Sequence, residues 1–194
     1  MMLRRWLAGA AAVAGGLASL VGSPYRRPAV GSINVADLAP VVANQEDHMT
    51  AVELAEWLRA RRPRLRVIDV RTASEFAAYH IPGAEHVPLD RLAATRFADD
   101  ETVVLYSELG VHGAQAWVVL RALGARRVFF LRNGLHEWLD DVMSPTIAAD
   151  APAEAQAGFA HTAELSRWFG GTPRRVSSSA AGSEEMPVTR RRGC

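Results

Sequence analysis

Few residues in this 194-residue chain could carry covalent chemistry. Ser107 and His112 bound the segment Ser107-Glu108-Leu109-Gly110-Val111-His112, a hydroxyl and an imidazole that could act as nucleophile and base. Such a pair needs a third group to orient the imidazole. No carboxylate is identifiably placed for that, and the surrounding residues are not a nucleophile elbow, so a hydrolytic centre is poorly supported. Cys194 is the single cysteine, and Arg190, Arg191 and Arg192 just upstream favour its thiolate to the extent that solvent lets them. Asp69, Arg71 and Glu75 form a charged cluster. His80 and His86 match no metal-ligand spacing, which leaves ordinary hydrogen bonding as their role and no metal or other cofactor to expect.

The elements that must position these groups can be read from pattern. Thr50-Ala51-Val52-Glu53 is a capping box, and Val52, Leu54, Ala55 and Leu58 continue it as an apolar stripe, so a helix runs from about Ala51 to Ala60. Leu65 to Val70 is a β-branched apolar run ending beside Asp69, as a buried parallel strand that delivers polar groups at its carboxyl end would be. A short helix over Ser74 to Tyr79, a turn at Pro82-Gly83, a small strand near His86-Val87 and a helix from Leu89 follow. Thr102 to Tyr106 is the next strand, and a tight loop connects it to an amphipathic helix from Gly113 to Leu123. Val128 to Leu131 is a strand, Asn133-Gly134 a turn, and Leu135 to Asp141 a closing helix. Strands alternating with helices at this spacing predict an α/β fold, a central, mainly parallel sheet with helices on both faces.

The ends differ from this core. Met1 to Arg5 is a short basic start, and Trp6 to Val21 is uncharged and apolar or small, the pattern of an export signal. The run is short against the about 20 apolar residues of a membrane span, so residues 1–22 read as a signal peptide or a membrane anchor, with the domain on the periplasmic, extracytoplasmic side. Residues 23–48 read as a linker with a short docked helix that Pro40 interrupts or bends. Residues 144–170 read as a helical extension in which Phe159, Leu165, Trp168 and Phe169 share a face. Its aromatic end packs on the domain or the N-terminal segment, or else meets a partner or a membrane. Residues 171–194 are Ser-, Gly- and Arg-rich and read as a flexible tail. All 22 basic residues are Arg, the net charge is +1, and the arginines are scattered along the chain or sit in the tails, so no nucleic-acid partner is expected.

With those elements in hand, residues 49–143 resemble a single rhodanese-like domain. The string from Ile68 to Asp90, IDVRTASEFAAYHIPGAEHVPLD, is similar to the first rhodanese signature: a strand ending in Asp-x-Arg, then Glu-Phe, then His-Ile-Pro-Gly-Ala. The stretch from Val103 to Asp140 is similar to the second half, including Asn-Gly-Leu-x-x-Trp. In active members the second strand leads into Cys-x-x-Gly-x-Arg, whose backbone N–H groups and helix dipole stabilise a thiolate or an anionic sulfur group. Here Ser107 stands at the cysteine position and His112 at the arginine position. The fold's phosphatase relatives have a longer loop with Cys and Arg at its ends, so length, nucleophile and cation are all missing for that chemistry.

The resemblance implies a loop of Ser107, Glu108, Leu109, Gly110, Val111 and His112 that binds anions weakly, because His112 is no permanent cation and Glu108 adds negative charge at the rim. It implies a mainly structural role for Asp69, Arg71 and Glu75. A hydroxyl neither attacks sulfane sulfur nor holds a persulfide, so conventional sulfurtransferase activity at the loop is not expected. One function class is then a binding or regulatory module that engages a protein partner or a sulfur-containing small molecule, with membrane contact through residues 6–21. The alternative is an unconventional sulfurtransferase or thiol carrier using Cys194, since a tail of this length reaches roughly 25 Å. An incidental thiol is the plain reading of the same residue.

Overall fold

A computed structural model describes residues 35–177. The expectations for residues 1–22 and for Cys194 lie outside the described residues. No helix among the described residues is long and apolar enough to cross a membrane.

Strands β1 (His48–Met49), β2 (Leu65–Asp69), β3 (Glu85–His86), β4 (Thr102–Tyr106) and β5 (Val128–Leu131) form a parallel sheet in the order β1-β5-β4-β2-β3. The three long strands are mostly apolar because both faces of the sheet are covered, with Arg66, Asp69 and Thr102 the polar residues among them. Alternation divides their side chains. Val67, Val104, Tyr106 and Leu131 pack on one side with helix α2 (Ala51–Arg59) and Trp138. Ile68, Val103, Leu105 and Val128 pack on the other with Ala116, Trp117 and Leu120 of helix α5 (Val111–Ala122). Two cores result, separated by the sheet.

Helix α1 (Val35–Ala43) continues through Pro40 and leans Leu38 and Val41 on the second core, so the expected docked helix is present. Helices α3 (Ala73–Ala78) and α4 (Leu89–Leu92) lie within a residue of their expected starts. The closing helix is α6 (Gly134–Glu137), which widens into a π-helical segment, Trp138–Met143.

Beyond Met143 the structure differs from the sequence reading. Strand β6 (Thr146–Ala148), helix α7 (Ala153–Trp168) and strand β7 (Arg174–Val176) follow, and β6 pairs with β7 in a separate parallel ribbon. The flexible tail expected from residue 171 is therefore corrected over residues 171–177. Hydrogen bonds hold that stretch, among them Gly171 N–H to the Ser166 carbonyl (2.8 Å), Thr172 N–H to the Met143 carbonyl (2.7 Å), Arg174 N–H to the Pro145 carbonyl (2.9 Å) and Ala149 N–H to the Val176 carbonyl (2.8 Å). The extension also belongs to the domain's core, since Leu165 is buried in the first core and Phe169 meets Trp138 edge-on at 4.9 Å. Trp168 alone of the expected aromatic face is half exposed, at 52%.

Candidate functional site

Strand β4 ends at Tyr106, and the next residue, Ser107, turns its side chain under the head of α5. Its hydroxyl oxygen accepts the Gly113 N–H at 3.2 Å, and the residue is 2% exposed. A helix leaves its first four N–H groups without intrahelical partners. Ser107 takes one of them, and the first intrahelical bond begins at Ala114, whose N–H reaches the Gly110 carbonyl. The amides of Gly110, Val111 and His112 are thereby left at the dipole-positive end of α5, where an anion would be favoured. Gly110 caps the helix at φ +83°, and a Cβ there would lie 2.2 Å from the Arg132 carbonyl oxygen, so the curl is open to glycine alone.

The loop is held from below by a residue that the sequence reading had treated only as part of a turn. Gly134 has φ +61°, and a Cβ on it would meet the Ser107 carbonyl oxygen at 2.1 Å and the Gly110 nitrogen at 2.8 Å. This close approach lets Leu135 N–H donate to Ser107 (2.8 Å) and His136 N–H to Glu108 (3.1 Å). Buried Glu137 fixes the turn by accepting from Asn133 N–H and from Arg132 Nη2. The signal was in the sequence, as Asn133-Gly134 beside Glu137, but nothing local said which loop the glycine would support.

Asp69 and Arg71 meet as expected at the end of β2. Arg71 Nε and Nη2 donate to the Asp69 carboxylate at 3.0 and 2.7 Å, and Nη2 also reaches the Tyr79 carbonyl. The pair is buried, at 0% and 8% exposure. Burial alone would lower the pKa of Arg71, but hydrogen bonds to Asp69 and Glu108 outweigh it and keep the guanidinium charged. Tyr106 lies under this pair and accepts the Ile81 N–H, and burial, followed by the Asp69 charge, pushes its phenol well above the ordinary range. The sequence reading missed Tyr106, which links the strand before Ser107 to the His80-Ile81-Pro82-Gly83 turn.

Two expectations about the rim are corrected, and the weak support for a Ser107–His112 pair is matched by the structure. Glu108 is not an uncompensated negative charge, because Arg71 Nη1 donates to it at 2.8 Å across the loop. The loop thus has a permanent cation beside it after all, contributed by Arg71 just past the end of β2 instead of by position 112. Glu75 makes no hydrogen bond or ion pair with Asp69 or Arg71 and instead closes a capping box with Thr72 at the start of α3, the Arg71 charge acting on it only at a distance. Ser107 and His112 share no hydrogen bond, since the hydroxyl faces Gly113 and His112 lies on the exposed face. Leu109 and Val111 complete the rim as exposed apolar side chains, at 61% and 63%. His80 stacks on Phe76 and donates to its carbonyl, while His86 donates to the Arg71 carbonyl, so both make the ordinary contacts expected of them.

The site can therefore hold an oxyanion against backbone amides, or a small partner group against Leu109 and Val111. Among the described residues the Ser107 hydroxyl makes no hydrogen bond to a histidine or a carboxylate. Comparison with known proteins agrees with the fold. A family model for the rhodanese-like domain matches residues 50–141. The chain is 32% identical to the uncharacterised Bacillus subtilis protein YqhL over 103 residues, covering 52% of this chain and 80% of that protein. It is 30% identical to the human thiosulfate:glutathione sulfurtransferase over 93 residues, covering 40% and 81%. It is also 32% identical over 94 residues to the probable adenylyltransferase/sulfurtransferase MoeZ of Mycobacterium tuberculosis, covering 46% of this chain but only 24% of MoeZ's length.

Proposed function

Since the chain belongs to the rhodanese-like domain family, we propose that it is a member without conventional sulfur transfer at its loop, acting as a binding or regulatory module. The single observation that carries this reading is the buried Ser107 hydroxyl, tied to the Gly113 amide where a thiolate would otherwise be stabilised. Sulfur transfer needs a group that attacks sulfane sulfur as an anion and then carries a persulfide; an alcohol at its ordinary acidity does neither. The surrounding cradle remains suited to recognition. Open amides, the Arg71–Glu108 pair and the exposed apolar pair Leu109 and Val111 together favour a partner group or a sulfur-containing anion of modest charge. The uncharged run Trp6 to Val21 behind Arg4 and Arg5 supports an exported or membrane-anchored placement.

The test is a thiosulfate and persulfide transfer assay on the full chain and on its Ser107→Cys and Cys194→Ser variants. The wild-type chain is expected to be silent. Ser107→Cys should gain turnover, because the head of α5 lowers the pKa of a thiol at that point. Robust wild-type turnover that disappears in Cys194→Ser would overturn the reading and assign the chemistry to the terminal thiol.

A further inference from the structure

The end of the sheet opposite the Ser107 loop gathers arginines that are distant in sequence. Arg61, Arg62 and Arg64 lie in the α2–β2 connection, Arg96 in the segment leading into β4, and Arg126 and Arg127 between α5 and β5. Because β5, β4 and β2 are parallel neighbours, their incoming connections emerge side by side. Two hydrogen bonds fix this: Thr102 N–H donates to the Arg64 carbonyl at 2.8 Å and Val103 N–H to the Arg127 carbonyl at 2.9 Å. All six side chains are exposed.

Their charge is largely uncompensated. Arg64 pairs with Asp100 at 3.0 Å, and Glu101 is held by Arg66, which also binds Glu85. Among the described residues no carboxylate pairs with Arg61, Arg62, Arg96, Arg126 or Arg127. Arg62 lies 3.7 Å over the Trp57 ring, which leaves its charge intact, and Asp99 is the one acid of this end outside those pairs. Arg96, Arg126 and Arg127 border a cavity of about 610 Å³ that Asp99 and Glu101 also line, with the exposed Leu123 beside them.

We propose that this face docks the domain on an anionic lipid bilayer, with guanidinium groups on phosphodiester headgroups and the exposed Leu123 side chain at the interface beside them. Clustered basic residues are drawn to anionic membrane surfaces, and apolar surface beside them adds burial at the interface. The same charge could attract a nucleic acid, but binding of bases relies on open aromatic faces. Here Trp57 is covered by Arg62, and Phe97 has the Arg66 guanidinium over it at 4.7 Å. Docked in this way, the domain turns the Ser107 loop, at the other end of β4, away from the bilayer and toward its ligand.

Vesicle flotation of the full chain tests the proposal, comparing phosphatidylcholine alone with vesicles holding about one-third phosphatidylglycerol. Partitioning that does not depend on anionic lipid, including any through residues 6–21, is common to both mixtures and is subtracted. The anionic increment should fall with salt. In the triple variant Arg61→Ser, Arg96→Ser, Arg126→Ser it should fall roughly a hundred-fold, at about 1 kcal/mol for each arginine near the surface, with an unchanged thermal midpoint. An increment absent from the wild-type chain, or undiminished in the folded triple variant, would overturn the proposal. Fluorescence anisotropy with duplex and single-stranded DNA supplies the second arm. DNA binding that the triple variant loses, with no anionic-lipid increment, would also overturn it and assign the face to nucleic acid.

Discussion

Gly134 sets the shape of the loop without contributing a functional group to it. An alanine there would need a left-handed backbone and would drive its Cβ into the Ser107 carbonyl oxygen, so Gly134→Ala is expected to cost about 3 kcal/mol. Urea unfolding would show the loss, and hydrogen exchange would show Leu135 N–H deprotected first as the loop lifts. Asp69 has a different kind of importance. It is a fully buried carboxylate whose partner is a buried guanidinium, and removing one member of such a pair strands the other. Asp69→Asn should therefore destabilise the domain by about 3 kcal/mol, whereas Glu108→Gln, at a half-exposed carboxylate, should cost under about 1 kcal/mol. The second substitution should also raise affinity for sulfate or thiosulfate, since it removes the negative charge that shares Arg71 with any incoming anion. Isothermal titration of both anions checks this, and unchanged affinity would mean that Glu108 does not compete for the site.

Helices α2 and α3 both begin with a threonine-glutamate capping box, and both glutamates are held below the ordinary carboxyl pKa. For Glu53 the main cause is the Thr50 backbone N–H, followed by the Thr50 hydroxyl; for Glu75 it is the Thr72 side chain, followed by its N–H. A carboxylate depressed in the folded state adds stability above its ordinary value of 4.5, and that stability is lost as pH falls through the depressed value. Thr50→Ala is expected to cost about 1 kcal/mol at neutral pH, and its difference from wild type should narrow as the solution is acidified. Unfolding curves across the acid range would show a constant gap if the cap were not involved. The β6–β7 ribbon offers a separate test at this scale. Arg174→Pro removes the N–H that bonds the Pro145 carbonyl and should release β7, costing about 1 kcal/mol locally. Trypsin cleavage at Arg175 should then quicken several-fold, while the thermal midpoint of the main sheet barely moves.

On the scale of the molecule, the two cores flanking the sheet are unequal in origin. The second draws on helices next to it in sequence, while the first is completed by Leu165 of α7, far along the chain from β2. Leu165 is 1% exposed against Trp138 and its neighbours, so Leu165→Ala should cost about 3 kcal/mol of global stability. A loss confined to α7, with the sheet unfolding at its wild-type midpoint, would show instead that the extension is an appendage. The sequence by itself determined the strands β2, β4 and β5, the capping boxes, the α/β class and the loop from Ser107 to His112. These follow from local pattern: β-branched runs, Thr-x-x-Glu spacing, and the side-chain chemistry of single residues. Only the tertiary structure decided that Arg71 neutralises Glu108, that Gly134 supports the loop, that α7 closes the first core and that residues 174–176 form a strand. It also turned arginines that look scattered along the chain into one basic face. The physical reason is the same in each case: these outcomes depend on which distant segments the parallel sheet sets side by side, and no local period records that placement.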